Sequence, residues 1–361
     1  MAISRVEIRD LRNLQSVTLE PGEGLNILSG ANGAGKTSVL EGIYMLGRGR
    51  SFRTSQARPI IREGCECVEV VGVASGPSRI VGGIRRCGKS CEIRINGESV
   101  SRMSELARVF PVQLVTPRSH ELLERGPELR RRFLDWGLFH VEQSYGATIA
   151  RYNRVLRQRN EALKRKAGEA ACWEDQLSML GEKIHLSRGQ YLRSLVDELE
   201  PLEQQLKLSR DVELSMIRGW SGADGLQQAL VRRRDQDQRA GFTSAGPHRD
   251  DIRIQAEGAS AVDRLSRGQQ KMLVLGLILA QMLRVSESSG QAPVLLVDDL
   301  AAELDENARA RVIEFLVQQS IQVFVSTLDP GLLGELPPST AMFHVEQGCL
   351  QRQTKAATFS I

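Results

Sequence analysis

Apolar and polar residues alternate over residues 1–10, the period of a strand with one buried face. A second strand-like run, Gly24-Leu25-Asn26-Ile27-Leu28, ends at a glycine-rich turn, and residues 38–46 then read as a helix. Short strands are predicted over 68–74, 80–85 and 91–95, with turns at 86–90 and at Asn96-Gly97. From about residue 116 to 240 the texture changes to long, charged, helical sequence. Pro127 suits a first helical turn, and Glu128 suits the positive end of that helix. Ile149, Tyr152, Leu156 and Leu163 recur at helical spacing until Ala167-Gly168 breaks the run. A second stripe runs through Leu177, Leu180, Ile184, Tyr191, Leu195, Leu199, Leu202 and Leu206, where Pro201 predicts a kink. Two such helices around one breaker make an antiparallel helical hairpin.

From about Gly246 the pattern turns again. Residues 293–297 form a continuous apolar strand, 307–319 a helix and 322–326 another buried strand. Such alternation implies a parallel sheet, with ligands at the carboxyl ends of its strands. The expected fold is α/β: a head made of residues 1–115 and 241–361, interrupted by an inserted helical arm over 116–240.

The chain's 361 residues are enough for one large domain carrying an insertion of this kind. The N-terminus reads as a strand rather than a signal peptide, and the longest apolar run, 272–283, is too short to span a bilayer. It reads as a buried helix, so a cytoplasmic protein with no membrane partner is expected. In that compartment the six cysteines are read as reduced thiols. Cys65, Cys67, Cys87 and Cys91 lack the paired spacing of a zinc site.

Charge adds one local feature. Residues 118–166 hold twelve Lys/Arg against six Asp/Glu, whereas 174–213 hold five against nine. Two readings stay open: solvated faces pairing across the hairpin, or a basic ridge for a polyanion such as DNA.

Gly30-Ala31-Asn32-Gly33-Ala34-Gly35-Lys36-Thr37 fits G-x-x-x-x-G-K-[ST] between a strand and a helix. In that context the glycines let backbone N–H groups curl around a triphosphate, with the helix N-terminus behind them. Lys36 is expected on the β/γ-phosphates of ATP, and Thr37 on Mg²⁺. Asp298 and Asp299 close the strand over 293–297, and adjacent carboxylates there are costly to desolvate without a cation. Asp298 is assigned to Mg²⁺ with Thr37, and Asp299 to the attacking water; the plainer alternative is a pair capping the next helix.

Leu265-Ser266-Arg267-Gly268-Gln269-Gln270-Lys271 precedes the apolar helix. Taken alone it is a serine-capped helix start. With the phosphate loop, Asp298-Asp299 and Ala302-Glu303-Leu304-Asp305, it resembles the signature motif and D-loop of ABC-type ATPases. That resemblance implies that Ser266, Gly268 and Gln269 reach nucleotide held by a second subunit. The chain departs from ABC transporters at two points: Asp299 stands for their glutamate, and Ser326-Thr327 for their histidine. The first implies slow hydrolysis, and the second leaves the γ-phosphate sensor unassigned. Gln113, at the expected head–arm junction, is a candidate glutamine-loop residue.

Further segments resemble the RecF family of bacterial recombination mediators: Asp10-Leu11-Arg12-Asn13-Leu14, Gly49-Arg50-Ser51-Phe52-Arg53-Thr54, Gly126-Pro127 with Arg131-Arg132-Phe133-Leu134-Asp135, and Gly246-Pro247-His248-Arg249-Asp250-Asp251. The likeness runs from about Ile3 to Val345. It implies an SMC-like ABC ATPase head of parallel sheet plus antiparallel β subdomain, and a short helical arm. It also implies an ATP-dependent homodimer on double-stranded and gapped DNA, acting with RecR and RecO to load RecA, with weak DNA-stimulated hydrolysis as a switch. The competing classes are the energy-coupling subunit of a transporter, another SMC-like ATPase of DNA metabolism, and a scaffold with a structural ATP site.

Overall fold

The N-terminal alternation becomes the strand Ala2–Leu11, which buries Ile3, Val6, Ile8 and Leu11. In this computed structural model, which describes residues 2–54, 56, 58–165, 168–208, 211–300 and 304–353, the chain forms two units. The first is Met1–Ser119 with Val285–Ile361, and the second is His120–Arg284.

Two six-stranded sheets build the first unit. One is antiparallel, in the order Leu14–Leu19, Ala2–Leu11, Cys67–Ser75, Ile80–Cys87, Ser90–Ile95 and Glu98–Val100. The other runs Cys349–Gln353, Ala341–Glu346, Leu25–Ser29, Gln322–Thr327, Val294–Val297 and Val112–Val115. It is parallel except for its edge hairpin of Ala341–Glu346 with Cys349–Gln353. Leu25–Ser29, Val294–Val297 and Gln322–Thr327 are buried along their whole length, which is why Val294–Val297 reads as an unbroken apolar run and none of the three shows the alternation of a half-exposed strand. The helix Lys36–Arg48 puts Leu40, Ile43 and Leu46 into one core with Ile8 and Val70 of the first sheet and Leu296 and Phe324 of the second. The phosphate loop is thereby fixed to a helix held from both sides.

The second unit is mainly helical: Pro127–Val141, Tyr145–Lys164, Glu174–Gln205 and Gly225–Ala240. Pro127 occupies the first turn of its helix, and Glu174–Gln205 continues through Pro201. Of the expected break, Ala167 lies outside the described residues, and Gly168 opens the turn Gly168–Trp173. Ion pairs, as well as apolar stripes, hold these helices together. Arg159, fully buried, donates to Asp237 at 2.8 Å and to Glu174 at 3.2 Å. Arg188 donates to both oxygens of Asp135, at 2.9 and 3.1 Å, and to Asp250 at 3.2 Å.

Three findings depart from the sequence reading. The second unit reaches Arg284, so residues 241–284, read as head, lie within it. It also carries a small sheet of Ala259–Ser260, Asp251–Ala256 and Val212–Ile217. The six residues of Val212–Ile217, three half-buried and three exposed, give too short an alternation to stand out from helical surroundings. Cys67 and Cys87, read as thiols, are opposed in the register of neighbouring strands and joined by a disulfide. Their separation of twenty residues gave no sign of this, because strand register decides it.

Among the described residues one helix, Arg267–Ser289, is long and apolar enough to cross a membrane. Of its most apolar window 67% is buried inside the protein, as in a core helix.

Candidate nucleotide-binding site

The loop between Leu25–Ser29 and Lys36–Arg48 is shaped by glycines that cannot be replaced. Gly30 has φ +147°, and a β-carbon there would stand 2.1 Å from the Val345 carbonyl oxygen. Gly35 has φ +120°, and a β-carbon would meet Leu14 at 2.9 Å. The backbone thus lies against its neighbours at both glycines, immediately ahead of the helix start. Asn13 buttresses the loop from the first hairpin. Its amide donates to the carbonyls of Gly33 (3.3 Å) and Ala34 (3.2 Å), and its oxygen accepts from Ser38 Oγ at 2.9 Å. Gly348 N–H donates to Ala34 O at 2.9 Å from the other side.

A cleft of about 460 Å³ opens over this loop, of small-molecule size (roughly 300–1,000 Å³). Asn32, Gly33, Gly35, Lys36, Thr37, Asp298 and Asp299 line it together. Gly30, Ala31 and Ala34 shape the loop without being among the lining residues. Lys36 Nζ donates to the carbonyls of Gly30 (2.6 Å) and Ala31 (2.9 Å). Burial lowers the Lys36 pKa below its ordinary value, against the opposing pull of Asp299 and then Asp298. Thr37 Oγ1 donates to Asp298 Oδ1 at 3.0 Å, across 261 positions of sequence. A hydroxyl beside a single carboxylate is an oxygen-only donor set, which suits Mg²⁺ completed by waters and phosphate oxygens.

The cleft also contains residues to which the sequence reading gave no role: Arg12, Asn13, Arg53 and Ser326. Arg12 forms a two-pronged ion pair with Glu41 of the loop's helix, and Ser51 Oγ donates to the same carboxylate. Glu41 is buried, so this clamp ties the first hairpin and the segment around Ser51 to one helix. The signal was present in the Asp10–Leu14 and Gly49–Thr54 motifs, but only contacts could turn it into a task. Ser326 Oγ donates to Asp298 Oδ1 at 2.8 Å and accepts from Asp299 N–H at 2.9 Å.

Gln113 is not among the lining residues. It is buried in the edge strand Val112–Val115, where its Oε1 accepts from Arg48 Nη2 at 3.2 Å. Burial pulls the Arg48 guanidinium down to about 10, so it stays charged at neutral pH and needs such acceptors. A glutamine-loop role for Gln113 is therefore not favoured. Ala302 and Glu303 of the expected D-loop lie outside the described residues; Asp305 caps the helix Glu306–Gln318 by accepting from Ala308 N–H at 2.8 Å.

The signature segment belongs to the other unit. Ser266, Gly268 and Gln269 are exposed at the start of Arg267–Ser289. Ser266 N–H donates to Gln269 Oε1 at 2.9 Å, and Gln269 N–H donates back to Ser266 Oγ at 3.4 Å, a capping box. Nothing lies within 4 Å of a β-carbon placed on Gly268, so that helix end is open. Gly246–Asp251, without a role in the sequence reading, braces this same unit. Asp250 accepts from Arg188 and from Gly219 N–H (2.8 Å), and Asp251 takes both prongs of Arg130.

The RecF/RecN/SMC N-terminal domain family matches residues 2–351. DNA replication and repair protein RecF of Thioalkalivibrio sulfidiphilus is 40% identical, over 97% of this chain and 99% of that one. The chain belongs to the RecF family. A solved structure of the recombination mediator protein RecF-ATPrS in the RecFOR pathway is 25% identical, with TM-score 0.85 and 98% of each chain covered. An Smc head bound to the C-winged helix domain of ScpA, 14% identical, matches with TM-score 0.58 over 99% of this chain and 98% of that one. RecF membership and the Smc likeness together make the fold that of an ABC/SMC-like P-loop ATPase.

Proposed function

We propose that this RecF-family chain is an ATP-dependent DNA-binding protein of recombinational repair and replication-fork maintenance in the cytoplasm. The observation that carries the reading is the 3.0 Å contact between Thr37 of the phosphate loop and Asp298, within a cleft that also holds Lys36 and Asp299. Those are the parts a P-loop NTPase needs on one side of a triphosphate. The solved structure of the recombination mediator RecF-ATPrS lends the same support.

In this reading the Gly30–Thr37 backbone and Lys36 bind the phosphates, while Thr37 and Asp298 hold Mg²⁺, which would neutralise charge on the transferred group. Asp299 accepts the proton of the attacking water, and its short side chain makes turnover slow. Ser266, Gly268 and Gln269 of one protomer bind nucleotide held by the other, so ATP joins two copies and hydrolysis parts them. The open helix end at Gly268 supports that assignment. The paired copies grip duplex DNA beside single-strand gaps and help RecO and RecR load RecA.

Sedimentation with ATP, with ADP, and with or without gapped duplex DNA tests the scheme. The expected result is a monomer that becomes a dimer only with ATP, and DNA that travels with the dimer. Failure to bind ATP, or DNA binding indifferent to nucleotide, would overturn it.

A further inference from the structure

The two carboxylates of the cleft are set by one hydroxyl. Asp298 follows the strand Val294–Val297, and Asp299 comes next with φ +58°. That is the left-handed region, which costs most side chains strain and which Asp tolerates better than most, so a local hydrogen bond can fix it. Ser326, on the adjacent parallel strand Gln322–Thr327, supplies the hold. Its Oγ accepts from Asp299 N–H at 2.9 Å while donating its own proton to Asp298 Oδ1 at 2.8 Å. A hydroxyl has one donor and two acceptor positions, so both bonds coexist. Ser326 is only 1% exposed, so a residue without the hydroxyl would leave the half-buried Asp299 N–H without this protein partner.

We propose that Ser326 is a positioning residue. Its hydroxyl fixes the left-handed turn at Asp299, which places the Asp299 carboxylate in the cleft beside Lys36. It also holds Asp298 Oδ1 in the orientation that meets Thr37. The strand position that lacks a histidine thus acts on the water side of the site through the backbone. This rests on the assignment of Asp299 as the group that activates water.

The test uses the full chain and the variants Ser326→Ala, Ser326→Cys, Ser326→Thr, Asp299→Asn and Ser326→Ala/Asp299→Asn. Amide exchange at Asp299 reads the turn directly, equilibrium binding of ATP reads the phosphate loop, and steady-state hydrolysis reads the water side. In Ser326→Ala the Asp299 amide is expected to exchange at least ~10-fold faster, with kcat lower by about 10- to 100-fold and KM changed less than about two-fold. Ser326→Thr, which keeps the hydroxyl, should restore slow exchange and most of kcat. The double variant should hydrolyse no more slowly than Asp299→Asn alone, because both changes act on one group. Unchanged amide exchange in Ser326→Ala, or a double variant showing the full product of both losses, would overturn the proposal. If Ser326→Ala fails to unfold cooperatively, Ser326→Cys, similar in size and a weak donor, carries the same comparisons. If the parent chain hydrolyses no ATP, the functional reading fails by itself, and the exchange at Asp299 still decides the role of Ser326.

Discussion

Lys36 stands between two demands. Its ammonium lies partly out of water, which disfavours charge, and Asp299 and Asp298 restore that charge electrostatically. A compact ammonium also fits against the carbonyls of Gly30 and Ala31, where a planar guanidinium does not. Lys36→Arg should therefore abolish hydrolysis while reducing ATP affinity less, a split that filter binding and a phosphate-release assay resolve. Hydrolysis at the parent rate would remove Lys36 from the mechanism. At Asp299 a cleaner split of the same kind is expected. Asp299→Asn keeps a residue tolerant of positive φ and leaves Asp298 with Thr37, but the amide accepts no proton from water. The ATP-bound dimer should then persist several-fold longer in sedimentation or light scattering than the parent's. An unchanged lifetime would assign water activation elsewhere.

The helices of the second unit depend on buried charge that has no solvent to fall back on. Arg159 faces Asp237 and Glu174, all three buried. Arg159→Met would leave Asp237 without its cation, while Glu174 keeps Arg234 at 2.7 Å, a loss of about 3–5 kcal/mol that thermal unfolding should register. A change below about 1 kcal/mol would mean that water replaces the arginine. His248 adds a pH dependence to the same unit. Its Nδ1 accepts from Tyr152 Oη at 2.7 Å and its Nε2–H donates to Thr243 O at 3.0 Å. Burial, helped by nearby Arg249 and Arg131, depresses its pKa from 6.5 to about 4 against the opposing hydrogen bond to Thr243. Between those values the unfolded chain binds a proton that the folded chain refuses, so stability falls as pH drops from about 6.5 towards 4. The shift corresponds to about 3 kcal/mol, and His248→Gln should flatten the denaturation midpoint across that window. An equally steep pH dependence in His248→Gln would place the titrating group elsewhere.

These networks mark where sequence stops being readable. Apolar periodicity revealed Tyr145–Lys164, Glu174–Gln205 and the buried parallel strands, because burial leaves its trace in local spacing. The phosphate loop and Asp298-Asp299 were legible for a different reason: their chemistry tolerates few residue types. Partners at long range were not legible. Nothing local to Arg159, Asp250, Glu41 or Ser326 names the residue each one meets, and the Cys67–Cys87 bond depends on strand register alone. Gln113 was readable only as a candidate, since position along the chain did not separate a cleft residue from a structural glutamine; burial in a strand, with Arg48 as one partner, favours the structural one.

For the whole molecule, the signature serine is the test of assembly. Among the described residues Ser266, which is exposed, bonds only to the turn it caps, so Ser266→Arg should leave ATP binding to a monomer intact. A long cationic side chain at that helix start would block the approach of another copy's phosphates, and dimerisation with it. Mixing Ser266→Arg with Lys36→Arg gives a dimer with one composite site carrying both defects and one carrying neither. Partial return of ATPase in the mixture, absent from either variant alone, is the expected outcome. Normal dimerisation by Ser266→Arg would exclude the role in trans.

The packing of the phosphate loop has a consequence for how the protein is made. Gly30 lies against the Val345 carbonyl, Ala34 accepts from Gly348, and Leu25–Ser29 pairs with Gln322–Thr327 and Ala341–Glu346. The segment that reads as a nucleotide site leaves the ribosome early, yet its walls arrive only with the last strands. Contacts spanning some three hundred residues form late and slowly, after their loop-closure entropy has been overcome. A nascent chain stopped at residue 340 therefore carries the whole motif and should retain no ATP on a filter. During synthesis the apolar strand 25–29 has neither neighbour to pair with, which makes it the stretch most in need of a chaperone.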